Sequence, residues 1–401
     1  MASLSVLHIL RTIKERGTLS RTDLQQLTGL SWGTITNTTR ELLDRNLIRE
    51  EGTLQTKAGR KPMRLAINPV SHSLLGVDIS PGLLRVIALN LAGEMLWQNE
   101  QAYQVSAEPS VVLDQLAGMI LEGLGNPMVA ARICLGVGVA AQGALDVRQG
   151  VMRFAPRMPG WTNVPIREHL QVKIPVPVLL EHDPNCLALA ERWFGEASMA
   201  DDVLCLNLSD GIGMGILLKG EIFRGAQQMA GEFGHITLDP EGPLCACGDR
   251  GCVEAYCSTP AIIEAVRQDP AGQSPQVAEA LAKGTLTLDG IVAAAYANDE
   301  TVRRALARMG RYLGVGIANI IDLFNPSVVV LCGPLTLAAE FFLPAATEQI
   351  AKHAWKHSSR QTIISSLGDR AVAIGACGMV LQSVFDQEPA SNGQVRQLQG
   401  A

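Results

Sequence analysis

The sequence predicts an α/β protein in which two lobes of mixed strands and helices follow an N-terminal winged helix-turn-helix. Three observations predict it. Residues 1–70 hold three stretches of helical period separated by caps and glycines, residues after about 71 alternate apolar strand runs with amphipathic helices, and the charge balance breaks between the two regions. Residues 1–64 carry 11 Lys/Arg against 6 Asp/Glu, a net +5, whereas the rest carries 22 against 33, a net −11. A basic arm on an acidic body directs the arm alone toward a polyanion. The 401 residues, 47% hydrophobic and 18% charged, describe a folded chain long enough for two or three domains. The expected boundaries are 1–70 for the helix-turn-helix, 71–195 for the first lobe, completed by residues of about 370–401, and 196–370 for the second lobe.

In the first segment Val6, Ile9, Leu10 and Ile13 recur at helical spacing and end at Gly17. Ser20, three residues before Asp23, is an N-cap with an acid in the first turn. Leu24 and Leu27 give the apolar stripe of a short helix that stops at Thr28-Gly29. Ser31 caps the next helix, in which Ile35, Leu42 and Leu43 face inward and Trp32, Thr34, Thr36, Asn37 and Arg40 lie outside them. Two short helices joined by a glycine-containing turn form a helix-turn-helix, whose second helix enters the major groove. Behind it, Leu47-Ile48 and Leu65-Ala66-Ile67 bracket a hairpin with the cationic tip Gly59-Arg60-Lys61-Pro62, where Arg60 and Lys61 suit phosphates. The competing reading is a solvated helical bundle with a charged loop, but caps, turn and basic wing agree with one another.

The lobes begin with GVDISPGLLRV (76–86), where Leu74–Asp78 and Val86–Asn90 pair around a turn. Residues 133–143 and 176–183 read as further strands, residues 203–223 as a hairpin with a glycine-rich turn, and a long helix from about Thr301 leads to a buried strand at 327–334. Such a chain builds two α/β lobes with ligands bound between them.

Nine cysteines in a chain without a secretory start argue against a disulfide framework. His235, Cys245, Cys247 and Cys252 are spaced H-x9-C-x1-C-x4-C, and imidazole plus three thiolates suit a closed, tetrahedral, structural Zn2+ site. Gly248 and Gly251 let the backbone curl so that the sulfurs converge. A redox pair would prefer C-x-x-C, which is absent, and separate buried thiols would not crowd into eight residues. Cys134, Cys205 and Cys332 lie in apolar runs and read as core. The most apolar stretch, 328–346, carries Pro334 and Glu340, so neither membrane insertion nor export is expected and the cytoplasm is the expected location.

G-E-F-G-H (231–235), C-x-C-G-x-x-G-C-x-E (245–254) and E-H-D-P-N (181–185) together make residues 70–385 closely resemble the ROK family of bacterial sugar kinases and sugar-responsive repressors. The N-terminal helices match its repressor branch, which regulates glucose, N-acetylglucosamine and xylose genes. The resemblance implies a two-lobed, actin/hexokinase-like body holding a sugar or sugar phosphate. Glu232, His235 and Glu254 would bond sugar hydroxyls, with His235 also reaching the zinc. Asp183 would be the family's catalytic base, vestigial here, and His182 stands where the kinases carry Asn. Glu232 also reads as a surface acid, and Asp183 as a helix N-cap.

Kinase activity needs backbone N–H groups and hydroxyls around the nucleotide phosphates. Family kinases use an Asp-x-Gly-Gly-Thr-type loop; here Asp78 is followed by Ser80, Pro81, Gly82 and Leu83. Proline removes a donor and fixes φ. In the second phosphate turn Asp210 replaces the family's Thr, placing a carboxylate where a triphosphate would sit, and the adenosine-site turn reads Cys332-Gly333-Pro334. The expected function is therefore a sugar-responsive repressor, acting on operator DNA as a homodimer or homotetramer. The alternatives are an ATP-dependent sugar kinase bearing a DNA-binding arm and a regulator induced by a protein partner.

Overall fold

The computed structural model describes residues 2–53, 63–198, 200–355 and 361–386. These form two compact units, one reaching to His182 and taken up again from Val372, the other spanning Asp183–Ala371. The first crossing falls where a strand ends and a helix begins.

In the first unit, α1 (Ala2–Arg16), α2 (Arg21–Thr28) and α3 (Trp32–Asp44) precede a sheet of β1 (Leu19–Ser20), β2 (Ile48–Thr53) and β3 (Met63–Ile67), in the order β1-β3-β2. Ser20 and Asp23 form a reciprocal capping box, each side chain accepting the other's backbone N–H. Gly29 closes α2 at φ +68°, its N–H donating to the Gln25 carbonyl at 3.0 Å. Ser31 caps α3. Ile9, Leu10, Ile13, Leu24, Ile35, Leu42, Leu47, Ile48 and Leu65 are all buried. Leu27 departs from the expected stripe: it is 50% exposed, and Leu24 is the buried residue of this helix. The wing strands pair antiparallel, Ile48 opposite Ile67, while Arg60 and Lys61 lie outside the described residues.

The remaining strands of this unit are β4 (His72–Ser80), β5 (Leu83–Asn90), β6 (Met95–Ala102), β7 (Ile133–Ala141), the small antiparallel set β8 (Ala144–Asp146), β9 (Val151–Phe154) and β10 (Thr162–Val164), and β11 (Val178–His182). The main sheet runs β11-β7-β4-β5-β6. Its buried face receives the helix Ala371–Asp386 at close range: a Cβ on Gly76 would stand 1.9 Å from the Ala373 carbonyl oxygen, and one on Gly138 2.1 Å from that of Ala376.

The second unit contains β12 (Val203–Leu208), β13 (Ile212–Leu218), β14 (Glu221–Ile222), β15 (Val328–Cys332) and β16 (Gln361–Ile364), in the order β14-β13-β12-β15-β16. Both main sheets share one topology: three consecutive strands form an antiparallel meander, and two later strands add in parallel beside the first. In the first unit the meander turns at Pro81-Gly82, between Ser80 and Leu83; in the second it turns at Ser209-Asp210-Gly211, between Leu208 and Ile212. Helix Glu300–Phe324 buries Val302, Leu306, Met309, Leu313 and Ile317, and lies on helix Ala339–His353 through Gly310 and Gly314. Among the described residues no helix is long and apolar enough to cross a membrane.

The buried capping box sets one expectation. Ser20→Ala leaves the Asp23 N–H unsatisfied and should lower stability by about 1 kcal/mol, read as a fall in urea midpoint at unchanged m-value.

Candidate functional site

The hairpin β12–β13 organises the polar residues of the second unit. The segment after β14 returns to β13 as Gly231–His235, with Met214 N–H donating to the Gly231 carbonyl at 3.0 Å. A Cβ at Gly231, whose φ is +101°, would stand 2.0 Å from the Met214 carbonyl oxygen; at Gly234 it would stand 2.2 Å from that of Ile212. Two glycines therefore permit this contact, and Phe233 between them is 1% exposed, its ring against Gly316 of helix Glu300–Phe324. With Phe233 anchored inward, Glu232 and His235 are left exposed on either side.

Glu254, at the start of helix Glu254–Cys257, accepts the Ile212 N–H through Oε2 at 2.9 Å. Asp183, at the start of helix Asp183–Phe194, accepts Asn207 Nδ2 through Oδ2 at 3.4 Å, and Pro184 packs where a Cβ on Gly213 would fall. Each acid named from the sequence in this unit is thus held against the same hairpin or the segment pressed onto it. His182 is the last residue of β11, adjoining Asp183. Asn207 was not predicted; its only trace in the sequence is an amide just before Ser209-Asp210-Gly211.

His235, Cys245, Cys247 and Cys252 bring one ligand atom each within 4.8 Å of one another, a cluster that could hold a metal ion. His235 Nδ1 lies 3.9 Å from Cys245 Sγ, and Cys247 Sγ lies 3.8 Å from Cys252 Sγ. The loop is tied by Cys245 N–H to the Asp249 carbonyl at 2.7 Å and Gly251 N–H to the Pro243 carbonyl at 2.8 Å. Burial pushes the Cys245 thiol up and the Cys252 thiol to about 12, whereas the Asp249 backbone N–H draws Cys247 down. Three sulfurs and an imidazole are the soft donor set of a closed tetrahedral site. With Nδ1 turned to the sulfurs, His235 has Nε2 for a ligand. Beside the loop opens a pocket of about 310 Å³ whose lining includes Asp210, Leu244, Cys245, Glu254, Glu264 and Arg308.

In the first unit, Pro81-Gly82 makes a closed two-residue turn, with Ser80 paired to Leu83 and Gly82 at φ +80°. Ser80 Oγ donates to Asp78 Oδ1 at 2.9 Å, and Tyr103 Oη donates to the Ser80 carbonyl at 3.0 Å. Arg85 Nη1 stands 3.8 Å from Asp78, while its Nε donates to Glu100 at 2.6 Å. Burial raises the Asp78 carboxyl above the usual range. The polar groups of this loop are turned on one another. On α3, Trp32 is 50% exposed, Asn37 and Arg40 are exposed, and Thr34 and Thr36 are half-buried.

Comparison with known proteins separates the N-terminal helices from the rest of the chain. The ROK family profile matches residues 74–383, and that of the MarR family matches residues 3–51. A xylose repressor from Caldicellulosiruptor bescii is 28% identical over 388 residues, covering 96% of this chain and 97% of the relative. A glucokinase from Thermotoga maritima is 28% identical over 318 residues, covering 78% of this chain and 98% of the kinase. Among solved structures, a ROK family transcriptional regulator described as a homologue of the E. coli Mlc protein aligns with a TM-score of 0.77 at 26% identity, over 96% of this chain and 99% of that one.

The metal loop separates two glycines. At Gly251 (φ +67°) a Cβ would stand 1.6 Å from the Asp239 carbonyl oxygen, while at Gly248 (φ +100°) nothing lies within 4 Å. Gly251→Ala should abolish metal retention through dialysis, whereas Gly248→Ala, which meets only backbone strain, should retain metal with a modest loss of Tm.

Proposed function

The chain belongs to the ROK family, and from that premise we propose that it is a sugar-responsive repressor of carbohydrate-use genes rather than a kinase. The observation that carries the reading is the union in one chain of a capped, MarR-like helix-turn-helix and a ROK body whose first phosphate turn is closed upon itself. The working protein is a cytoplasmic homodimer or homotetramer, since a single arm offers few base contacts and paired helices match half-sites about 34–36 Å apart.

The inducer is a sugar or sugar phosphate held by Asp183, Glu232, His235 and Glu254, with His182 at the edge. Ionised carboxylates only accept hydrogen bonds, so their convergence suits a ligand made of hydroxyls. His235, Cys245, Cys247 and Cys252 would hold a structural zinc ion, which would fix the His235 ring and leave Nε2 to bond a sugar hydroxyl. The metal supplies order here, not chemistry. DNA is held by Trp32, Thr34, Thr36, Asn37 and Arg40 in the major groove and by Arg60 and Lys61 on phosphates. For the sugar to act as inducer it must bind the DNA-free conformation more tightly, by a few kcal/mol, than the DNA-bound one.

The competing reading is a sugar kinase, favoured by Asp183 and by a match to a glucokinase over 78% of this chain and 98% of that protein. Against it stand the closed Pro81-Gly82 turn, the internal commitment of Asp78 and Ser80, and Asp210, whose charge opposes a triphosphate by roughly 1–4 kcal/mol per charge pair. Incubation with ATP and glucose, N-acetylglucosamine or xylose should yield no more ADP than the Asp183→Asn variant does; an Asp183-dependent turnover would establish the kinase.

Two further outcomes are expected. A thermal-shift screen of sugars and sugar phosphates should find one that raises Tm in the wild type and not in Glu254→Gln. Replacing Arg60 and Lys61 with Ala should weaken binding on every DNA sequence and reduce the salt slope by about 2; an unchanged slope would remove them from the interface.

A further inference from the structure

Asp183 opens helix Asp183–Phe194, where the helix dipole favours its charge. A place at a helix start does not orient a carboxylate, because the last torsion of Asp is broad and nearly two-fold. Asn207 supplies that constraint, its Nδ2 donating to Asp183 Oδ2 at 3.4 Å.

Asn207 is itself placed by the two strands that flank β12. Leu206 and Leu208 on either side of it are fully buried, so the alternation of the strand turns Asn207 to the opposite face. Directly across on β13 stands Gly213, where a Cβ would lie 2.7 Å from Pro184 Cγ. Two residues on, a Cβ at Gly215 would lie 1.9 Å from the Pro184 carbonyl oxygen. Residues paired across strands share a face, so the start of helix Asp183–Phe194 is pressed onto the face that carries the amide. On the other side Asn207 pairs with Cys332 of β15, and the next residue, Gly333 at φ +89°, passes close to it. A Cβ there would stand 2.5 Å from Asn207 Oδ1. Backbone thus confines the Oδ1 end of the amide. An ionised carboxylate only accepts, so the Nδ2 end is the one turned to Asp183.

We propose that Asn207 is a positioning residue for the inducer: it holds the Asp183 carboxylate in the orientation that accepts a sugar hydroxyl, without itself having to touch the sugar. This rests on the sugar-binding role proposed for Asp183 above. Without the amide the carboxylate turns about its last torsion, and the ligand must order it on binding, which costs affinity.

The test is sugar affinity of the full-length protein, read from the rise of Tm with the concentration of glucose, N-acetylglucosamine, xylose or their phosphates. Asn207→Leu, of similar size and with no donor, should bind the stabilising sugar roughly tenfold more weakly. Asn207→Asp keeps the shape and puts a like charge beside Asp183, so it should lose at least as much. In an Asp183→Ala background, where no carboxylate remains to be held, Asn207→Leu should change affinity by less than about twofold. Wild-type affinity in both Asn207 variants, or an equal loss from Asn207→Leu in both backgrounds, would overturn the positioning role while leaving sugar binding intact. A wild-type Tm that none of these sugars raises would remove the sugar reading and the inference together.

Discussion

The hydrogen bond from the Ile212 N–H to Glu254 Oε2, at 2.9 Å, is the point on which the second unit turns. It ties the tip of the β12–β13 hairpin to the residue that follows the metal loop, so hairpin, loop and helix Glu254–Cys257 share one position. The Gly231–His235 segment is pressed onto the same hairpin by glycines that tolerate contacts near 2 Å from a built Cβ, and Phe233 anchors it to the core. His235 belongs to both systems at once, lying on the segment pressed onto the hairpin and in the cluster of His235, Cys245, Cys247 and Cys252 that could hold a metal ion.

The repeated sheet topology makes the first turns of the two meanders comparable. In the second unit Ser209-Asp210-Gly211 join β12 to β13; in the first, Pro81-Gly82 join β4 to β5. Asp78 lies just before the one and Asn207 just before the other, and each has a protein partner: Asp78 receives Ser80 Oγ, and Asn207 donates to Asp183.

Much of this was legible in the residues. Ser20, Asp23, Gly29 and Ser31 announce their helices because capping is a local reaction between near neighbours, and the main strands follow from apolar runs bounded by glycine and acid. The Cys/His spacing announces the cluster because three thiols within eight residues, with glycines between them, can converge on one point. What could not be read depends on contacts distant in sequence. Leu27 looks like core by period, yet it is half exposed while Leu24 is buried. The pairing of Arg85 with Glu100, the Tyr103 bond to the Ser80 carbonyl, and the contact of Asn207 with Asp183 leave no local pattern.

The central claim is that a sugar bound by the acids of the second unit governs DNA binding by the first. The direct measurement is fluorescence anisotropy of a labelled operator duplex with the full-length protein, titrated with the sugar that stabilises it. By linkage the sugar should weaken DNA binding by roughly tenfold or more, and DNA should weaken sugar binding by the same factor. A sugar that binds the protein and leaves its DNA affinity unchanged would contradict the account.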